Sequence, residues 1–214
     1  MSDKTPNCKV VLLGESGVGK TCIISRYVNN TYDEKSETTN GASYASKVID
    51  FEQYQKSLRF DIWDTAGQEK YRSLTKFFYK DAAIAILVYD ITRRDSFDEV
   101  KNYWYEQLKT CGEKNIVLGI AGNKCDMFDK EAVTEEEAEA LAKQIGAQFK
   151  LTSAFKNNGI DELFKLVGNK YLDPNFQGEI ITGGGGDKPE KIVLTKEDQK
   201  RKDKEKKNKG GCCK

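Results

Sequence analysis

KVVLLGESGVGKTCIISRYV, residues 9–28, runs from an apolar stretch through three glycines and a lysine into an amphipathic stretch. Within it GESGVGKT sets Gly14, four residues, then Gly19, Lys20 and Thr21 at the spacing of a phosphate-binding loop. Small residues there let consecutive backbone N–H groups turn inward around a β-phosphate, and the helix that follows directs its positive end to the same place. Lys20 is then placed to reach β- and γ-phosphates, and the Thr21 hydroxyl to bind Mg²⁺. An apolar run before and a helical pattern after give this segment the strand–loop–helix context that such a loop requires.

Further along, the run NIVLGIAG ends in NKCD, residues 123–126. That puts the tetrapeptide at the carboxyl edge of a strand, where ligands bind in open α/β folds. A carboxylate at Asp126 can accept both the N1–H and the exocyclic 2-amino hydrogens of guanine, an arrangement adenine does not offer, and the aliphatic stem of Lys124 can lie over the base. DTAGQ, residues 64–68, completes the set. Asp64 ends the run SLRFDIW and can hold Mg²⁺ through water, Gly67 can bring its N–H to a γ-phosphate, and Gln68 can orient the attacking water. The chain has no histidine, which excludes His triads, His general bases and His-ligated metals. An amide that positions water suits phosphoryl transfer, which needs positioning more than a strong base.

Around these motifs the 214 residues alternate apolar runs with helical patterns. KVVLLG, AIAILVYD, NIVLGIAG and QFKLTS are apolar enough to be covered on both faces, and helical segments separate them, which predicts a doubly wound α/β sheet, mostly parallel. SKVIDFE and SLRFDIWD have only QYQK between them, too short for a crossover helix, and predict an antiparallel hairpin at one edge. Ser96 with Glu99, and Thr134 with Glu137, fit the capping-box pattern, and Gly146 falls where a helix would end. Phe97, Val100, Trp104 and Leu108 share one helical face and read as core. The formal charge of +1 excludes a globally basic nucleic-acid binder. The six cysteines, Cys8, Cys22, Cys111, Cys125, Cys212 and Cys213, have no zinc-finger spacing and are expected to be reduced thiols of a cytosolic protein. No apolar run approaches the roughly 18 residues that span a bilayer.

GESGVGKT, WDTAGQE, NKCD and TSA, in this order and spacing, resemble the Ras superfamily of small GTPases over about residues 8–172. YDIT after the fourth strand and the CC pair near the end resemble the Rab family, which regulates vesicle traffic. The resemblance implies the small GTPase fold, with a six-stranded sheet, one antiparallel edge strand and about five helices. It divides the chain into a flexible N-terminus (1–7), a GTP-binding domain (8–172) and a flexible tail (173–214). It implies GTP/GDP and Mg²⁺ as ligands, with nucleotide contacts at Ser16, Gly17, Val18, Gly19, Lys20, Thr21, Cys22, Tyr32, Gly67, Asn123, Lys124, Asp126, Ser153, Ala154 and Phe155. It assigns metal contacts to Thr21, Thr39 and Asp64, and the catalytic role to Gln68. Thr39 is the match for the threonine that binds Mg²⁺ and the γ-phosphate and releases both after hydrolysis, with Thr38 the adjacent alternative.

The chain also departs from the family's pattern. Asn40 stands where isoleucine is usual, Ser43 and Tyr44 where the family commonly ends in phenylalanine, and Phe155 where a lysine follows the alanine. Tyr32 corresponds to the aromatic that flanks guanine, and Tyr44, Trp63 and Phe78 to an exposed aromatic triad that effectors read. The partners implied are effectors of the GTP state, an exchange factor, a GTPase-activating protein, a GDP-dissociation inhibitor and the prenylation machinery. The chain itself is expected to be a monomer that cycles onto the cytosolic face of an intracellular membrane.

The tail is polar and glycine-rich, with a basic bias between residues 188 and 209. Such a composition cannot bury enough surface to order itself. Cys212 and Cys213 do not fit a C-a-a-X box, and the adjacent pair resembles the double-geranylgeranylation signal, followed here by Lys214. Two lipid chains give a stable anchor where one is marginal, and basic residues add attraction to anionic lipid. Two other readings stay open from sequence: a soluble Ras-like switch without lipid, and a GTP-binding scaffold with negligible turnover.

Overall fold

The structure is a computed structural model that describes residues 5–33, 39, 42–65, 80–111 and 115–177. β1 (Asn7–Leu13) lies near the middle of a six-stranded sheet, flanked by β3 (Lys56–Thr65) and β4 (Ile84–Asp90), both parallel to it. The order is β2-β3-β1-β4-β5-β6, with β5 (Val117–Asn123) and β6 (Gln148–Leu151) parallel to β4 and to each other. β2 (Ala42–Phe51) runs antiparallel to β3 and forms the edge, as the short QYQK connection predicts. A single 3₁₀ turn, Glu52–Tyr54, and Gln55 in the left-handed region (φ 50) complete that hairpin.

Alternate residues of the central strands face opposite layers. Val10 and Leu12 of β1 and Ile84, Ile86 and Val88 of β4 pack with Ile23, Ile24 and Tyr27 of α1 (Lys20–Asn29) and with Leu163, Phe164 and Val167 of α5 (Ile160–Leu172). Val11 and Leu13, with Ala85, Leu87 and Tyr89, pack on the other side against α2 (Arg94–Glu99), α3 (Tyr105–Cys111) and α4 (Glu135–Ile145). Strands buried on both faces need helices on both, which is why these runs read as unbroken apolar stretches. Tyr27 stacks on Phe164 with centroids 3.7 Å apart and joins α1 to α5.

α2 and α3 form one continuous helix through a π-helical segment, Val100–Trp104. Its stripe of Phe97, Val100, Trp104 and Leu108 is buried throughout, as the periodicity predicts. The predicted cap at Ser96 does not form. The helix starts at Arg94 with Arg93 at the N-cap position, and Ser96 lies inside the first turn, fully buried. Its hydroxyl accepts from the Asp90 N–H at 3.1 Å and donates to the Arg93 carbonyl at 2.7 Å, so the end of β4 competes successfully for it. At Thr134 half of the capping box forms. The threonine hydroxyl accepts from the Glu137 N–H at 3.3 Å, but the Glu137 carboxylate is taken by a two-pronged contact from Arg94 at 2.6 Å. Gly146 ends α4 in the left-handed region (φ 71).

Five of the six strands point the same way, so the segments after β1, β3, β4, β5 and β6 emerge along one edge of the sheet. Residues 14–21, Asp64, and residues 123–126 and 152–154, described residues of the motifs picked out in the sequence, lie along that edge.

Candidate functional site

β1 leaves the sheet into a loop that glycine makes possible. Gly14 (φ +150) runs against β4 so closely that a Cβ there would lie 2.2 Å from the Val88 carbonyl oxygen. Gly19 (φ +95) is the N-cap of α1, and a Cβ on it would come within 2.3 Å of Asn123 Nδ2. The N-cap Gly19 supplies no side-chain cap to this ten-residue helix, so the N–H groups of its first turn face the loop and the dipole favours an anion there. Lys20 is buried within the loop, and its ammonium donates to the carbonyls of Gly14 (2.7 Å) and Glu15 (2.9 Å). Burial lowers the Lys20 pKa to about 8, against the opposing charges of Asp64 and Glu15. Such a lysine is a cation held ready for a more strongly charged partner than carbonyls.

At the foot of this loop three oxygen-bearing side chains meet. Thr21 Oγ1 donates to Asp64 Oδ2 at 2.6 Å, and Thr39 Oγ1 lies 2.7 Å from Thr21 Oγ1 and 3.3 Å from Asp64 Oδ2. Asp64, near the end of β3, is almost fully buried, and among the described residues its Oδ1 has no hydrogen-bond partner. Burial raises its pKa, opposed by the hydrogen bond from Thr21, the charge of Lys20 and the hydrogen bond from Thr39. Hard oxygens around a buried carboxylate with an unused lone pair fit Mg²⁺ and suit no soft metal. Thr39 is thus the threonine brought to this cluster, while Thr38 lies outside the described residues.

Beside the loop opens a cavity of about 220 Å³, lined by Gly19, Cys22, Tyr32, Asn123, Lys124, Asp126, Met127, Ala154 and Phe155. Asn123, at the end of β5, spans its inner wall. Nδ2 donates to the Val18 carbonyl at 2.8 Å, and Oδ1 accepts from Thr152 Oγ1 at 3.3 Å, which ties together the loops after β1, β5 and β6. Asp126 accepts from Ser153 Oγ, and Ser153 Oγ in turn accepts from the Lys156 N–H at 3.0 Å, so the carboxylate is oriented from the β6 side. Lys124 adopts φ 66, and its ammonium lies 2.7 Å from Asp90 Oδ2. Arg26 Nε donates to the Ala154 carbonyl at 2.9 Å and fastens the TSA turn to α1.

Phe155, the residue in the lysine position, packs its ring edge-on to Tyr32 at 5.4 Å, and the two form the aromatic lip of the cavity. Tyr44 and Trp63 are register partners on β2 and β3, with rings 5.6 Å apart. The Tyr44 hydroxyl donates to Asp61 at 2.6 Å and accepts from Arg59 at 3.0 Å. Ser16 and Gly17 lie in the loop's outer turn, where Ser16 O accepts from Arg93 at 3.0 Å. Gly67, Gln68, Phe78, Cys212 and Cys213 lie outside the described residues. Sequence reasoning missed Met127 as a lining residue and Asp90 as the counter-ion of Lys124. The signal for Asp90 was present, since a carboxylate closing the apolar run AIAILVYD must find a cation or water.

Comparison with known proteins agrees with this geometry. The Ras family profile matches residues 9–173. The chain is 43% identical to the human Ras-related protein Rab-22A over 179 residues, covering 83% of this chain and 89% of that protein. It is 42% identical to rat Ras-related protein Rab-31 over 172 residues, covering 79% and 87%. With the Arabidopsis thaliana Ras-related protein RABA4c it shares 37% identity over 217 residues, covering 96% of this chain and 92% of the relative. A family match over residues 9–173, with relatives at these identities and coverages, means that the chain belongs to the Rab family of Ras-superfamily small GTPases.

Proposed function

We propose that the loop of residues 14–21, the Thr21–Thr39–Asp64 cluster and the cavity beneath Tyr32 and Phe155 are one site, which holds the phosphates, the Mg²⁺ and the guanine of GTP or GDP. As a Rab-family member the chain is a GTPase that alternates between GTP and GDP and regulates vesicle traffic. The observation that carries the site assignment is Asn123. One side chain lines the base cavity and holds the Val18 carbonyl of the phosphate loop, so base recognition and phosphate binding share a rigid frame.

Within that site Lys20 and the N–H groups opening α1 bind the β- and γ-phosphates, and Asp126, aimed by Ser153, accepts the two guanine hydrogens. Lys124, pinned by Asp90, closes one side of the base, and Tyr32 with Phe155 closes the lip. Thr21, Thr39 and Asp64 hold the Mg²⁺, which neutralises phosphate charge when bound. Thr39 leaves when the γ-phosphate does, and Gln68 orients the attacking water; both belong to the segments that effectors read. Unaided turnover is slow, on the order of 10⁻⁴ per second, until an activating protein supplies missing charge.

Effectors, exchange factors, activating proteins and a GDP-dissociation inhibitor act on the family generally. For this chain we assign the effector surface to Tyr44, Trp63 and Phe78, and membrane attachment to geranylgeranyl groups on Cys212 and Cys213. Among the described residues no helix is long and apolar enough to cross a membrane. The test is imaging of N-terminally tagged protein beside a Cys212→Ser, Cys213→Ser version. Discrete membranes for the first and diffuse signal for the second are expected; equal diffuseness refutes the anchor and leaves the GTPase.

A further inference from the structure

We propose that Arg93 is a positioning residue of the phosphate loop: its guanidinium, set against the loop's outer face, fixes the peptide between Ser16 and Gly17 so that the Gly17 N–H is turned inward to the β-phosphate. The inference rests on the reading of residues 14–21 as that loop.

Arg93 Nη1 donates to the Ser16 carbonyl at 3.0 Å, across a separation of 77 residues. The same guanidinium is aimed by Asp95, which takes Nη2 at 2.6 Å and Nε at 3.4 Å. Its backbone is equally constrained, since the Arg93 N–H donates to the Asp90 carbonyl at 2.9 Å, and its own carbonyl accepts from Ser96 N–H at 3.2 Å and Ser96 Oγ at 2.7 Å. A planar fork with two of its nitrogens on a carboxylate leaves Nη1 one direction to point. That direction is the loop. A Cβ built on Gly17 would lie 3.8 Å from Arg93 Nη1, so the guanidinium covers the Ser16–Gly17 peptide itself.

The consequence follows from peptide geometry. No peptide bond in the described chain is cis, and in a trans peptide the C=O and the N–H point in opposite directions. A Ser16 carbonyl drawn outward to Arg93 therefore turns the Gly17 N–H away from it, into the loop. Asn123 does the same one peptide pair later by holding Val18 O at 2.8 Å, and Lys20 holds the carbonyls of Gly14 and Glu15. Among the described residues, Lys20, Asn123 and Arg93 hold loop carbonyls, and of these Arg93 approaches from the β4–α2 connection. That connection also reaches the base side, because Asp90 accepts from Thr92 N–H (2.9 Å) and Thr92 Oγ1 (2.7 Å) and pairs with Lys124. A short segment, residues 90–95, thus braces both halves of the site.

The test compares the full chain with Arg93→Ala, Arg93→Lys and Asp95→Ala. Release of a fluorescent GDP, equilibrium affinities for GDP and GMP, and the phosphorus NMR spectrum of bound GDP are measured for each. Because only the β-phosphate feels the Gly17 N–H, Arg93→Ala should speed GDP release about five- to tenfold, leave GMP affinity within about twofold, and move the β- but not the α-phosphorus resonance. Arg93→Lys, still able to donate to Ser16 O, should recover most of the loss, and Asp95→Ala should show the same pattern more weakly. Equal weakening of GDP and GMP, or unchanged GDP release in Arg93→Ala, overturns the proposal. A wild-type chain with no preference for GDP over GMP overturns the phosphate-loop reading itself, and the role of Arg93 with it.

Discussion

Replacing Phe155 by alanine removes one wall of the 220 Å³ cavity and one ring of the pair with Tyr32. The rings meet edge-on, at 5.4 Å and 61°, a geometry worth about 0.5–1.5 kcal/mol beyond burial. Phe155 is 52% exposed, so a base seated beneath it covers only part of a side chain whose full burial is worth about 1.5–3 kcal/mol. Half of that, added to the pair, gives a loss of about 1.3–3 kcal/mol of nucleotide affinity, or roughly eight- to 150-fold in Kd. Phe155→Lys keeps an aliphatic stem over the cavity and should lose less, about 1 kcal/mol.

Dissociation of a fluorescent GDP, chased with unlabelled GDP at fixed Mg²⁺, reads the change directly. A double-mutant cycle with Tyr32→Ala then isolates the ring pair, with a coupling of about 0.5–1.5 kcal/mol expected. A Phe155→Lys effect beyond about 2 kcal/mol would refute the reasoning, because the residue would then be doing more than its half-exposed ring allows. So would a Phe155→Ala protein that releases GDP at the wild-type rate, since the aromatic lip would then not touch the nucleotide.

Three further outcomes are expected. Asp126→Asn should shift base preference from guanine toward xanthine, since the amide can donate to a C2 carbonyl while still accepting N1–H; competition of GDP against xanthosine diphosphate measures it, and retained guanine preference would remove Asp126 as the reader of the base. Gln68→Leu should leave GTP affinity within about threefold while suppressing single-turnover hydrolysis at least about tenfold, and unchanged hydrolysis would take Gln68 out of its role. Burial, aided by the charge of Asp61, pushes the Cys8 thiol up to about 12 from its ordinary 9.0, so the folded state holds this proton more tightly than the unfolded chain. The stability this contributes is complete below about pH 9 and is lost as pH rises toward 12. Urea unfolding should therefore show wild type losing about 1.4 kcal/mol more than Cys8→Ala between pH 8 and pH 10, and parallel losses would refute it.

The parts of this molecule that were legible in sequence are those whose chemistry is local. Gly14, Gly19, Lys20 and Thr21 must be neighbours in the chain to wrap one phosphate group, so their spacing is itself the signal. The hairpin of β2 and β3 was legible for the same reason, because four polar residues cannot hold a crossover. Contacts made across the fold leave no such spacing. Ser96 and Thr134 carry the same S/T-x-x-E pattern, yet only Thr134 caps a helix. The hydroxyl of Ser96 goes to the Asp90 N–H, a buried donor that must be satisfied, and that demand outweighs a cap at the protein surface.

The same competition places Arg93 where it can act. Had Ser96 been the N-cap, the helix would begin three residues later, and the Arg93 carbonyl would lack the bonds from Ser96 N–H and Oγ that now hold it. The failure of a local rule at Ser96 and the contact between Arg93 and Ser16 are therefore one structural event, in which the end of β4 gives up a standard helix start and gains a rigid arm across the phosphate loop. A Ser96→Ala chain should then release GDP faster although Ser96 touches neither the loop nor the base cavity, because the Arg93 carbonyl loses its 2.7 Å partner, one of the bonds that hold the arm. Release at the wild-type rate in a folded Ser96→Ala protein would separate the two events and leave the late helix start without a functional consequence.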